Sequence, residues 1–331
     1  MRVSGAGNIL LWGLPADPPI MAVRDALQRA GRRVTLLDQQ TVADTEVQLV
    51  VGPTVEGRVR VKEETFDLAA VNAAYLRPYD AREFPEVARA GQDSELWQHA
   101  LALQDILLSW ADLTPALVLN RPSHMAVNGS KPYQASWIES HGFRIPDTLI
   151  TTDPDAALEF WRQHDRVIYK SVSGIRSIVS RLTARHLQRF DNIASCPTQF
   201  QQYVPGTEYR VHVVGEEIFA CTVVSEADDY RYSTEPVDMQ ACDLPDEVAA
   251  RSRTLAAAMN LFLAGLDLRC TPEGEWYCFE VNPSPAFTCF EQRTRQPIAE
   301  AVARLLACGA NGSGLASAKK YAPQPEFRCA K

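Results

Sequence analysis

Apolar positions along this chain switch between a period near two and a period near 3.6, and the switches mark its elements. Residues 9–14, Ile-Leu-Leu-Trp-Gly-Leu, form a continuous apolar run with the length of a buried strand. Pro19 then opens PIMAVRDALQRAG, whose apolar spacing is helical and which closes at Gly31. RVTLLD follows as a second buried strand, so the chain begins β-α-β. AAVNAAYLRP predicts a further strand ending at Arg77-Pro78. ELWQHALALQDILLSWADL predicts a long amphipathic helix over 95–113, and LVLNRP a short strand over 117–122. Trp12 and Trp110 read as core residues within these runs.

A second unit starts near Arg121. Ser130 is placed to cap a helix with Pro132 in its first turn and Gly142 past its end. PDTLITT predicts a strand, and Asp153-Pro154 begins the helix DAALEFWRQH. RVIYKSVSGIRSIVSRL reads as a hairpin around a small-residue turn, and TQFQQYV (198–204) as a strand running into Pro205-Gly206. Hairpins dominate the third unit. EYRVHVVGEEIFACTVV folds on Gly215-Glu216, a helix is predicted over 246–263, and LAGLDLRCTPEGEWYCFEVNPSP is a second hairpin. A last helix runs from Pro297 to Cys308. The expected organisation is therefore an α/β domain over 1–120, units over 121–200 and 201–308, and a flexible tail rich in Gly, Ser, Ala, Lys and Pro over 309–331.

Composition narrows the function classes. The 331 residues are 46% hydrophobic and 22% charged, with no apolar run near the length of a membrane span. A net charge of −8 gives no basic footprint for nucleic acid. The first apolar run is too short for a secretion signal, and the eight cysteines show no CxxC or CxxH spacing. These features predict reduced thiols and a cytoplasmic protein. Gly5-Ala6-Gly7 precedes the first strand rather than following it, so it is no dinucleotide fingerprint.

The chemistry concentrates in FEVNPSP, residues 279–285. Glu280 and Asn282 share one face of a strand that Pro283 must end, because proline has no N–H to donate. If Glu273-Gly274 is the two-residue loop of the preceding hairpin, Asp267 lies directly opposite Glu280, about 5 Å away. Arg269 shares the face of Asp267. Two adjacent carboxylates repel, so a positive charge is expected between them. Asp267, Glu280 and Asn282 supply only oxygen, which favours Mg²⁺ or Mn²⁺ over zinc. A one-residue slip would turn Asp267 to the other face, leaving a solvated strand. Elsewhere, Glu208, Arg210 and His212 alternate on one face of 207–214, and Lys170 is followed by the small-residue run Ser171-Val172-Ser173-Gly174, a plausible phosphate cradle.

Taken in order, Lys131, YKSVSGIRS, QQYVPGTEYRV, AGLDLR and FEVNPSP resemble the ATP-grasp superfamily. The likeness is to the branch of glutathione synthase, the ribosomal-protein glutamate ligase and the graspetide macrocyclising peptide ligases, and it covers roughly 120–305. It implies a Rossmann-like pre-ATP-grasp α/β domain, a small lobe that acts as a lid, and a C-terminal lobe with a metal site. It implies that Lys131 and Lys170 bind the nucleotide phosphates. The backbone of Gln202 and Val204, with Tyr203 between them, would hold the adenine, and Glu208 the ribose. Asp267, Glu280 and Asn282 would be the metal ligands, and Arg210 and Arg269 would face the γ-phosphate and the developing acyl phosphate.

Two positions depart from the family pattern. Gln202 stands where the hinge acid is usual, and Ile175-Arg176 where small residues are common, so Ser173 and Arg176 are candidate phosphate contacts. Arg77 and Arg231 are candidate substrate contacts, by forked hydrogen bonds to a carboxylate or phosphate, or else solvated arginines. His212 is expected to be a packed or hydrogen-bonded core histidine, with a catalytic role as the alternative. The resemblance implies an ADP-forming carboxylate–amine ligase using ATP and Mg²⁺ on a peptide or amino-acid carboxylate and an amine acceptor. The alternatives are a small-molecule kinase on the same fold and a non-catalytic ATP-binding module.

Overall fold

The computed structural model describes residues 8–171, 179–224 and 237–310. The chain opens with strand β1 (Asn8–Gly13), helix α1 (Pro18–Arg29) and strand β2 (Val34–Asp38). Asp17 caps α1, accepting from the Ile20 N–H at 3.3 Å. A meander follows: β3 (Thr45–Val51), β4 (Val55–Val61) and β5 (Glu64–Asp67). Then come β6 (Val71–Arg77), α2 (Pro85–Ala90), α3 (Glu95–Leu113) and β7 (Leu117–Leu119). Strands β2-β1-β6-β7 form a wholly parallel sheet. Its strands are apolar on both faces because both are covered. Ile9 and Leu11 join the core under α1 and the C-terminal helix, whereas Leu10 and Trp12 join the core under α3 and the meander, which also holds Trp110.

The next stretch contains α4 (Pro122–Met125), α5 (Lys131–Ser140), β8 (Thr148–Thr151), α6 (Pro154–Gln163), β9 (Val167–Ser171), β10 (Ser180–Arg181) and β11 (Thr198–Gln202). Strands β10-β9-β11-β8 make a small antiparallel sheet backed by α6. Ser130 stands at the N-cap of α5, but its side chain makes no capping bond. The remaining elements are β12 (Thr207–Val214), β13 (Glu217–Val224), β14 (Asp238–Cys242), α7 (Asp246–Ala258), β15 (Leu263–Cys270), β16 (Trp276–Asn282), α8 (Thr288–Thr294) and α9 (Ile298–Ala310). Strands β14-β13-β12-β15-β16 form an antiparallel sheet packed on α5 and α7.

Several expectations are corrected. The helix expected over 246–263 stops at Ala258, because Asn260 takes the left-handed conformation (φ 55°) and Leu263 already belongs to β15. The strand expected over 198–204 ends at Gln202. The meander β3–β5 was not among the expected elements. The expected tail lies outside the described residues from 311 onward. The seven described cysteines are free thiols. Among the described residues no helix is long and apolar enough to cross a membrane.

Candidate active site

The β15–β16 hairpin places Asp267 directly opposite Glu280, but by a different route from a two-residue loop. Thr271 N–H donates to the Glu275 carbonyl and Gly274 N–H to the Thr271 carbonyl, so the loop has three residues, Pro272-Glu273-Gly274. Gly274 sits at φ +86°, the left-handed position such a loop requires. From the turn inward the pairs are Cys270 with Trp276, Arg269 with Tyr277 and Leu268 with Cys278. That register would set Asp267 against Phe279. A bulge at Phe279 restores it, and Asp267 pairs with Glu280, Leu266 with Val281 and Gly265 with Asn282. Cys278 and Val281 both point into the core beneath the sheet. The two residues between them therefore both face outward, which a regular strand forbids. Phe279 lines the adjoining cleft and Glu280 reaches Lys131.

Strand β16 is the edge of its sheet, and α5 covers it. Gln134 is 1% exposed; its amide donates to the Val281 carbonyl at 2.8 Å and accepts from the Val281 N–H at 3.0 Å. One turn earlier on the same helix, Lys131 donates to Glu280 and to Asn128. The Arg144 backbone covers the rest of the edge, bonding Trp276 and Cys278. At the strand's end, Asn120 is buried and donates to the Leu263 and Pro283 carbonyls, each at 2.6 Å. Its own side-chain oxygen accepts from the Phe262 and Leu263 N–H groups. Pro283, which ends the ladder, is thus held by Asn120, the residue that follows β7. Asn120 and Gln134 were not among the sequence candidates. Each is an amide within an otherwise apolar run or helix face, the one signal available.

The positive charge expected beside the carboxylates comes from two sides. Arg210 pairs with Asp267, and Lys131 with Glu280. Burial alone would raise the Glu280 pKa; Lys131, then Lys170 and Arg210, outweigh it and hold the carboxyl below its usual range. Arg210 is itself buried. A Cβ on Gly265 would lie 2.2 Å from its Nη2, so only glycine leaves room for the guanidinium there. Asn282 accepts from the Ser284 N–H at 2.9 Å. Among the described residues no group of three or more His, Cys, Asp and Glu side chains could hold a metal ion. The expected set here is two carboxylates and an amide, all hard oxygen donors, a chemistry that fits Mg²⁺.

Arg269 is engaged at the other end. It donates to Glu208 at 3.0 Å and to the Val204 carbonyl at 2.9 Å, and its guanidinium carbon lies 5.2 Å from the Phe279 ring centroid. Tyr203 N–H donates to the Arg166 carbonyl and Gln202 N–H to the Asp147 carbonyl. Between the small sheet and β16 lies a cleft of about 760 Å³, lined among others by Lys131, Lys170, Gln202, Gln199 and Phe279. Lys170 enters it from β9, opposite Gln199 of β11. Arg77 is neither solvated nor in this cleft. Its Nε donates to the buried Asp17 at 2.7 Å and its Nη1 to the Ser284 hydroxyl at 2.9 Å. Ser173, Arg176 and Arg231 lie outside the described residues.

The sequence pattern of the RimK-like ATP-grasp domain matches residues 134–306, more than half of the chain. The chain belongs to the RimK-like ATP-grasp family. No curated protein matches the sequence significantly. Solved structures share its ATP-grasp fold. The macrocyclase MdnC from Microcystis aeruginosa, bound with precursor peptide MdnA, is 23% identical, with a TM-score of 0.76 over 90% of this chain and 99% of that chain. A Chryseobacterium gregarium RiPP-associated ATP-grasp ligase, in complex with ADP and a leader and core peptide, is 21% identical, with a TM-score of 0.77 over 98% and 100%. The ATP-grasp ligase PsnB, complexed with minimal precursor, Mg and ADP, is 24% identical, with a TM-score of 0.73 over 91% and 97%.

Proposed function

We propose that this chain is an ATP-dependent, ADP-forming ligase that joins a peptide carboxylate to an amine through an acyl phosphate. The observation that carries this reading is the convergence of Lys131 and Lys170 on one cleft, with Asp267 and Glu280 paired beside it. Lys131 and Lys170 would hold the polyphosphate as point charges. Phe279 offers an apolar floor, and Glu208 with the backbone at Gln202, Tyr203 and Val204 takes the nucleoside. Asp267, Glu280 and Asn282 would hold Mg²⁺ or Mn²⁺. A metal ion there neutralises charge on the polyphosphate as it shifts. Arg269, fastened to Glu208 and the Val204 carbonyl, braces the nucleoside end. Arg210, beside Asp267, is the arginine at the reacting end.

In the first step a carboxylate oxygen of the substrate bonds to the γ-phosphorus and the bond to the bridging oxygen breaks, releasing ADP. In the second, the amine nitrogen bonds to the acyl carbon, phosphate leaves with the C–O electron pair, and the nitrogen gives a proton to phosphate or water. Arg210 donates to oxygen that gains charge in these steps. A peptide substrate is favoured because MdnC, PsnB and the Chryseobacterium ligase are each complexed with a precursor or a leader and core peptide.

ADP release measured with acidic peptides, with and without amine-bearing partners, tests the reading. ADP formed together with a product lighter by one water than the joined reactants combined supports ligation. ADP with a stable phosphorylated product supports a kinase, and tight ATP binding without turnover supports a regulatory module.

A further inference from the structure

Behind the Arg210–Asp267 pair stands a histidine that the proposed reaction does not use. His212 follows Arg210 by two residues on β12, shares its face, and is 1% exposed. The Arg210 Nε–H points at His212 Nε2 across 3.5 Å. A guanidinium has only donors, so the imidazole nitrogen facing it must be the acceptor, and the ring proton must sit on Nδ1. Burial first, and the Arg210 charge second, push the His212 pKa well below its ordinary value, in keeping with a neutral ring. Other neighbours also hold the guanidinium. Gly265 lies against Nη2, Asp267 takes Nη1, and Phe290 covers the face at 5.5 Å while its ring also packs on His212 at 5.1 Å.

We infer that His212 is a positioning residue for Arg210: a neutral, Nδ1-protonated imidazole whose Nε2 accepts the Arg210 Nε–H and fixes which edge of the guanidinium meets the site. Asp267 and Gly265 constrain the two terminal nitrogens, at the far end of the fork. His212 adds a hold at Nε, whose N–H is the one donor on the stem side of the fork. The importance of this aim for turnover rests on the ligase reading; the hydrogen bond itself does not.

The test is nitrogen NMR on the full chain labelled at histidine and arginine, with the Arg210 signal assigned by its loss in Arg210→Lys and the His212 signal by its loss in His212→Phe. In the wild type, His212 shows an unprotonated Nε2 and a protonated Nδ1. In His212→Phe, which keeps a ring against Phe290 but has no acceptor, the Arg210 Nε–H exchanges with solvent at least roughly tenfold faster, as loss of a bond to a charged group predicts. In His212→Gln, whose side-chain oxygen can stand near Nε2, slow exchange returns. A protonated Nε2 in the wild type, or unchanged exchange in His212→Phe, overturns the inference. Should His212→Phe fail to fold, the wild-type ring signals, assigned instead by the loss of the His212 signal in His212→Gln, decide. MgADP binding by the wild type is measured alongside. Its absence sinks the ligase reading without touching the His212 assignment, and the converse also holds.

Discussion

The side-chain amide of Gln134 grips both backbone groups of Val281, the residue between Glu280 and Asn282. An edge strand leaves such groups unpaired. Here a helix supplies a side chain that imitates the missing strand, and the same helix carries Lys131 to Glu280. Gln134→Leu would orphan a buried N–H and C=O, each worth roughly 1–3 kcal/mol. The expected loss of stability is about 2–5 kcal/mol by urea titration, with weakened MgADP binding. Gln134→Glu, which keeps the acceptor only, should fall between the two.

Gly265→Ala sets a methyl group 2.2 Å from Arg210 Nη2 and 2.9 Å from the Pro285 Cβ. The guanidinium is boxed in, so it must be displaced rather than slide. We expect a folded protein weakened by about 1–3 kcal/mol. ADP formation with an accepted peptide should fall by roughly 10²–10³, the usual cost of removing one aimed donor. MgADP affinity should change little, since Arg269 rather than Arg210 braces the hinge.

Glu280 has a folded-state pKa held below its ordinary 4.5. Its charge therefore contributes stability above the ordinary value, and that contribution is lost as pH falls through the lowered one. Urea midpoints measured from neutral pH down through the acid range should drop more steeply for the wild type than for Glu280→Gln. In Lys131→Met the largest compensating charge is gone and burial dominates, so the loss should begin at a higher pH. Glu280→Gln should also abolish ADP formation while leaving the fold intact.

Arg77 and Asp17 form an ion pair with side chains 11% and 2% exposed, and Arg77 also holds Ser284 in the loop after Asn282. Removing one partner leaves a buried charge. Arg77→Ala should cost about 3–5 kcal/mol by thermal and urea melts. Arg77→Lys cannot reproduce the fork and should recover little of it.

Much of the site was legible because strand parity is a strong constraint: once Asp267 and Glu280 face each other, Arg269 and Asn282 follow. Yet the loop was read as one residue shorter than it is, and the bulge at Phe279 cancelled that error. No local signal in YCFEVN distinguishes a bulge from regular alternation, since Cys278 with Val281 and Phe279 with Val281 would each make an apolar inward face. The β-α-β start was legible from its unbroken apolar runs. The meander over 45–67 was not, although Gly52-Pro53 marks its first turn, since its strands mix charge and valine on the outward face. Asn120, Gln134 and the pairing of Arg77 were hidden for a shared reason. Asn120 and Gln134 bond residues more than a hundred positions away and Arg77 pairs with Asp17 60 positions back, and nothing within a local window reveals such a partner.

Phe279 is, in effect, an inserted residue. If it were deleted, the three-residue loop would set Leu268 against Cys278 and Asp267 against the glutamate without any irregularity, and Leu266 would still meet the valine. The carboxylate pair thus does not depend on the bulge. What the extra residue adds is one aromatic ring in the cleft, against Arg269, at no cost to the alignment of its neighbours. A hairpin of this kind can gain or lose a wall of its binding pocket by a single-codon insertion or deletion, with the charged pair beside it left in place.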